Sequence, residues 1–219
     1  EQSSIEDLVL AGPAGTGPDI LAFVHDTLDT AVTGNLLAQN TYADKIRATH
    51  TLEAAHAASL NGIMYGFPIT SESQVIIYRK SKISDLQVQN IEGILNQDQA
   101  NGKLVWDLFE GYYSFGLMTD ALLYGEDGET TSGIKSSYLN FATPQTISNV
   151  TYARNTYKNH PNLTIPGSTS GSTDIEGLSL FLAGDVDAII VAPYFWASAK
   201  EQFPNDVGMA PVPSINGQT

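Results

Sequence analysis

The chain has 219 residues, with 24 acidic side chains against 10 basic ones and no cysteine. A net charge of −14 argues against nucleic acid or an anionic membrane surface as a partner, since both need clustered Lys and Arg. The missing cysteine excludes disulfides, thiolate metal sites and Cys nucleophiles. At 42% hydrophobic and 16% charged, the chain can build a sizeable core, yet it has no apolar run near the roughly 20 residues of a membrane span.

Residues 1–17 end in a Gly/Pro-rich loop, and the apolar run Asp19–Val24 that follows reads as a short buried strand. Leu28, Val32 and Leu36 recur at a spacing of four, which suits a helical segment or turn. The Ala-rich stretch 51–59 predicts a helix, and Asn61-Gly62 a hairpin turn into an extended segment up to Ile69. Residues 73–78, with Val75, Ile76 and Ile77 in sequence, predict a strand. Residues 84–100 predict a helix with Leu86, Ile91, Ile94 and Leu95 on one face, closed by Asn101-Gly102. A strand over 103–107 and an apolar helix over 112–123 come next, then a turn at 125–128. Thr143-Pro144 combines an N-cap with proline at the first helical position and predicts a helix to about Lys158, stopped by His160-Pro161. A helix over 174–182 ending at Gly184, a buried strand over 187–192, a helix over 193–202 and a strand over 207–212 complete the series. Strands alternating with helices predict the α/β class with a largely parallel sheet.

No nucleotide-loop, nucleophile-elbow or zinc-helix motif is present, and His25, His50, His56 and His160 are scattered, so no cofactor or metal is expected. The chemistry that stands out is carboxylates beside aromatic rings. Glu72 lies just before the strand 73–78, Glu110 precedes Tyr112 and Tyr113, and Tyr194-Phe195-Trp196 follows the end of the strand 187–192. Sugars stack their C–H faces on aromatic rings, and their hydroxyls need acceptors at the rim, so rings and carboxylates at strand ends fit an oligosaccharide. The same two carboxylates could instead serve as a glycosidase acid and base, and each ring could be core packing.

Four blocks, in order and at family spacing, resemble the maltose/maltodextrin-binding proteins of sugar ABC transporters: Gly17–Asp26, Tyr65–Lys80, Phe181–Ile190 and Ala192–Trp196. The resemblance implies a periplasmic-binding-protein-like α/β fold of two lobes joined by a hinge, with a malto-oligosaccharide held between them. It implies that Phe23 and Asp26 are first-lobe contacts, and that Glu72 reaches the sugar from a hinge crossing. Glu110, Tyr112 and Tyr194 become second-lobe contacts, with Tyr113 adjacent. Tyr194 and Phe23 stand where the family commonly has Trp, and Thr27 where a basic residue is common. The chain is shorter than family members, which implies a fragment: a partial first lobe over 1–68, the crossing over 69–74 and a second lobe over 75–219. The implied function is that of a non-catalytic, extracytoplasmic receptor, periplasmic or lipid-anchored. It would be monomeric at full length and would deliver sugar to a membrane permease. The alternative is a glycoside hydrolase acting on α-glucans through Glu72 and Glu110.

Overall fold

The computed structural model describes residues 5–95, 104–108, 110–114, 117, 142–160 and 173–215. These residues form two compact units that part between Ser71 and Glu72. Residues 96–100 of the helix predicted over 84–100, the closing turn at 101–102, residues 115–116 and 118–123 of the helix predicted over 112–123, the turn 125–128 and Pro161 lie outside the described residues.

The first unit holds helices α1 (Ile5–Ala11), α2 (Leu28–Thr33), α3 (Ala43–Thr49) and α4 (Leu52–Ala57), then a hairpin of β1 (Ser59–Leu60) and β2 (Ile63–Met64). The hairpin turns where the sequence predicts it. Asn61 and Gly62 have φ of 51° and 80°, a pair of left-handed residues that matches the twist of the flanking strands. Arg47 Nη2 donates to the Gly62 carbonyl at 3.1 Å and pins the turn to α3. Ile46, Ala55, Ala58 and Met64 form the small core. Buried Asn40 ties the chain to it, its Nδ2 donating to the Gly66 carbonyl at 2.7 Å and its Oδ1 accepting from Tyr42 N at 2.8 Å. Helices α1 and α3 were not anticipated; α3 buries Ile46 alone, too weak a periodic signal to read.

The stretch 19–24 is not the buried strand the sequence suggests. No strand among the described residues pairs with it, and Ile20 is 91% exposed. An apolar run without a ladder partner has nowhere to place its backbone donors except water.

The second unit is built on a four-stranded sheet in the order β4 (Leu104–Val105), β5 (Ala188–Val191), β3 (Val75–Arg79) and β6 (Val207–Pro211). The expectation of a largely parallel sheet needs correcting. Only β4–β5 is a parallel pair; β3 is antiparallel to both of its neighbours, with Val75 opposite Val191 and Pro211. Strands β4, β5 and β6 therefore run the same way, and β3 is inserted against them. Helical crossovers fix only the direction of the strands they join, so a strand arriving from another unit is free to enter reversed.

Both faces of the sheet are buried, which explains the unbroken apolar runs. Ile76, Tyr78, Ala188 and Ile190 face one layer, with Ile91 and Ile94 of α5 (Ile91–Leu95) and Ala153 of α7 (Pro144–Asn159). Ile77, Val105, Ile189 and Val191 face the other, against Phe181 of α8 (Thr173–Ala183) and Ala199 of α9 (Trp196–Gln202). Each buried Ile or Leu contributes about 1.5–3 kcal/mol, so this double layer dominates the unit's stability.

Helix α7 starts as predicted: the Thr143 hydroxyl accepts from Thr146 N at 3.0 Å and Pro144 occupies the first turn. Within the described part of the helix predicted over 84–100, residues 84–95, the chain instead forms a 3₁₀ turn at Gln87–Gln89 and then α5, separated by Asn90 with φ −145° and ψ 150°. The cause is tertiary. Ser214 N donates to the Gln89 carbonyl and Ile91 N to the Ser214 carbonyl, so a distant strand-like segment takes the backbone groups a continuous helix would use. Asn90 Oδ1 then caps the new start by accepting from Gly93 N at 2.6 Å. Leu86, placed on the buried face by the pattern, is 74% exposed.

Candidate functional site

The register brings the carboxyl ends of β5 and β6 and the first residue of β3 to one edge of the sheet. β4 runs parallel to β5 and ends toward the same edge. Ligand sites of open α/β sheets lie outside such strand ends. Past β4, the chain passes through Trp106 and Asp107 to helix α6 (Gly111–Ser114). This loop is braced from within. The Asp107 carboxylate accepts from Glu110 N at 3.1 Å, and Glu110 Oε2 accepts from Tyr113 N at 3.2 Å, capping the first turn of α6. The buried Trp106 indole donates to the Tyr113 carbonyl at 2.9 Å.

The two tyrosines then part company. Tyr113 is buried in the core, whereas Tyr112 is 55% exposed, its ring edge-on to Tyr113 at 5.3 Å and 89°. The Tyr112 phenol is pushed above its ordinary value, first by partial burial and then by the negative charges of Glu72 and Glu110. It stays protonated at neutral pH and can donate to a ligand hydroxyl. Gln74, just before β3, donates from its side-chain amide to the Tyr112 carbonyl.

Past β5, Pro193–Phe195 forms a 3₁₀ turn, and Tyr194 is 61% exposed with the Phe195 ring 4.4 Å away at 50°. Trp196 turns inward, packing on the core layer of α8 and α9, with Lys200 Nζ over its ring at 5.9 Å.

Of the residues expected at the site, the structure brings Glu72, Glu110, Tyr112 and Tyr113 together in the second unit, with Tyr194 on the same sheet edge. Tyr113 presents no open ring face there. Phe23 and Asp26 lie in the first unit, Phe23 half-buried in an extended segment and Asp26 exposed in the 3₁₀ turn His25–Thr27. Sequence reasoning missed Gln74, Trp106 and Asp107. The signal available was a polar residue heading an apolar strand in one case, and an indole and a carboxylate at a strand end in the others. Among the described residues, no group of three His, Asp or Glu is placed to hold a metal, and no helix is long and apolar enough to cross a membrane.

The second unit is thus a sheet covered on both faces, with exposed aromatic rings and carboxylates at its strand ends. The chain belongs to the bacterial extracellular solute-binding protein family, whose model matches residues 1–219. It is 26% identical to the maltodextrin-binding protein MdxE of Bacillus subtilis and 24% identical to the maltooligosaccharide ABC transporter solute-binding lipoprotein of Streptococcus pneumoniae. Both matches cover 98% of this chain, but 52% and 51% of those proteins. A shorter match, 34% identical over 84 residues, is to the galactooligosaccharide-binding protein of Bacillus subtilis; it covers 38% of this chain and 20% of that protein. Among solved structures, a cyclo/maltodextrin-binding protein complexed with maltotetraose superposes with a TM-score of 0.77 at 24% identity, covering 98% of this chain and 55% of that one. A Staphylococcus aureus extracellular solute-binding protein in complex with maltose gives 0.76 at 19%, covering 98% and 57%. These likenesses establish the fold. The chain spans about half the length of the curated relatives that it matches end to end.

Proposed function

We propose that this chain is part of a non-catalytic sugar receptor, with malto-oligosaccharide as ligand and an ABC-transporter permease as the partner that takes it up. The observation that carries the reading is the strand-end edge of the second unit, where the exposed rings of Tyr112 and Tyr194 stand with Glu72 and Glu110. The rings supply stacking faces, and the carboxylates and the Tyr112 phenol supply acceptors and a donor for hydroxyls. On this reading Phe23 and Asp26 add contacts from the first unit, residues 69–74 form a crossing between lobes, and the protein works outside the cytoplasmic membrane as a monomer. The relatives named for maltooligosaccharides and maltodextrin support this choice of sugar.

A hydrolase reading is not favoured. Glu110 is committed in part to capping α6, and a carboxylate that anchors its own loop is poorly suited to moving freely between acid and base roles. Isothermal titration with maltotriose, alongside a galactooligosaccharide and a reducing-end assay, tests the assignment. Saturable maltotriose binding without released reducing ends is the expected result. Turnover, or binding of the galactooligosaccharide alone, overturns it.

A further inference from the structure

Tyr112 lies in the first turn of helix α6. The place of its ring follows the place of its backbone. The ring itself is exposed on most of its surface and touches Tyr113 only edge-on. Two donors reach successive carbonyls here. Trp106 takes the Tyr113 carbonyl from within the same loop, and Gln74 takes the Tyr112 carbonyl from a segment 38 residues earlier in the chain.

We propose that Gln74, a partly buried residue at the entry to β3, is a positioning residue for the binding face: its side-chain amide fixes the Tyr112 backbone and with it the ring offered to ligand. The chemistry of the position suits a neutral amide. Gln carries two N–H donors and no charge. A lysine there would offset the charges of Glu72 and Glu110, and an ionised glutamate would repel the carbonyl it faces. The inference rests on the sugar reading above, because the ring's placement has consequences only if a ligand lies against it.

The test uses Gln74→Leu, which removes the donor at similar volume, and reads two quantities. Without ligand, NMR of ring-labelled tyrosine follows the Tyr112 phenol titration; in Gln74→Leu it is expected to fall toward the ordinary tyrosine range as the ring leaves the two carboxylates. With maltotriose, affinity is expected to drop about three- to tenfold. In a Tyr112→Ala background, Gln74→Leu should change affinity by less than about twofold, since the residue acts through that ring. An unchanged phenol titration with unchanged affinity overturns the proposal, as does a loss of affinity that persists undiminished in the Tyr112→Ala background. Should the parent protein bind no maltotriose while the phenol titration still shifts, the positioning role stands and the sugar assignment is what fails. Should Gln74→Leu fail to fold, Gln74→Met replaces it. That side chain has no N–H donor and adds no charge, so it should reproduce both losses, and native behaviour there overturns the proposal.

Discussion

Tyr194 and Trp196 stand two residues apart and face opposite environments. Pro193 fixes the backbone at the end of β5, Tyr194 remains exposed, and Trp196, partly buried, packs against the core layer. Truncating Tyr194 to Ala removes a ring that is 61% exposed and that the proposed function uses as a stacking face. Titration should show a loss of about 1–3 kcal/mol in sugar affinity, with stability nearly unchanged. Trp196→Ala should instead cost mainly stability, about 1–3 kcal/mol, read by urea denaturation. The reverse pattern would assign the two rings the other way round. The contrast was legible in the sequence because a ring directly after a Pro at a strand end has little choice of direction. The bond from Gln74 to the Tyr112 carbonyl was not legible, since nothing in a sequence relates one side chain to a main-chain oxygen 38 residues away.

At the level of elements, the β3–β6 pair carries two testable constraints. Tyr78 lies over Gly208, and a Cβ added to that glycine would come within 2.5 Å of the ring. The ring cannot retreat: it is buried, and its hydroxyl donates to Asp85 at 2.6 Å. Burial and this carboxylate push the Tyr78 phenol up to about 12. Replacing a strand Gly by Ala normally gains about 0.5–1 kcal/mol, but overpacking costs about 1–3 kcal/mol. Gly208→Ala should therefore be destabilised, as a lower urea midpoint would register. At the same end of β3, Asp206 accepts from Arg79 Nε at 2.6 Å, from Ser81 N at 2.6 Å and from Ser81 Oγ at 2.8 Å, while the guanidinium sits 3.9 Å over the Phe203 ring. Burial alone would push this carboxyl up; the Ser81 and Arg79 hydrogen bonds, with the Arg79 charge, outweigh it and hold the group below its ordinary 3.8. Its contribution is thus present above that pH and is lost as pH falls through the lower folded value. Asp206→Asn should lose about 1.5–3 kcal/mol near neutrality. The gap to the parent should narrow in denaturation curves taken below about pH 4. An equal gap at all pH values would remove the carboxylate from this role. Elements carrying their own signals were legible here: Thr143-Pro144 began α7, and Ile189, Ile190 and Val191 marked β5. The reversal of β3 and the break at Asn90 were not, because each is decided by a partner far along the chain.

The two units differ in what holds them. The second has a sheet buried on both faces, and the first gathers its packing around Ile46, Ala55, Ala58 and Met64. Opening free energy follows buried apolar contact, so native-state hydrogen exchange should protect Ile76, Ile77, Ile189 and Ile190 far more than the amides of α3 and α4. Uniform protection would mean the units unfold as one. At this scale the sequence was informative about class and about the second unit, where helices and strands alternate with strong apolar runs. It misled at Asp19–Val24, an apolar run that pairs with no strand among the described residues and leaves Ile20 and Val24 exposed.

The placement of β3 has a consequence for how the protein is made. This strand is interior to its sheet, yet its nearest ladder partner lies about 110 residues downstream, from Tyr78 to Ala188. At a synthesis rate of roughly 5–20 residues per second, about 5–20 s separate its emergence from that of the strand it must join. Throughout that interval Val75, Ile76 and Ile77 form an unpaired apolar edge on a nascent chain, the kind of segment holdase chaperones shield and aggregates recruit. The sheet closes only after β5 and β6 have left the ribosome, so the site edge it organises is among the last features of the second unit to form.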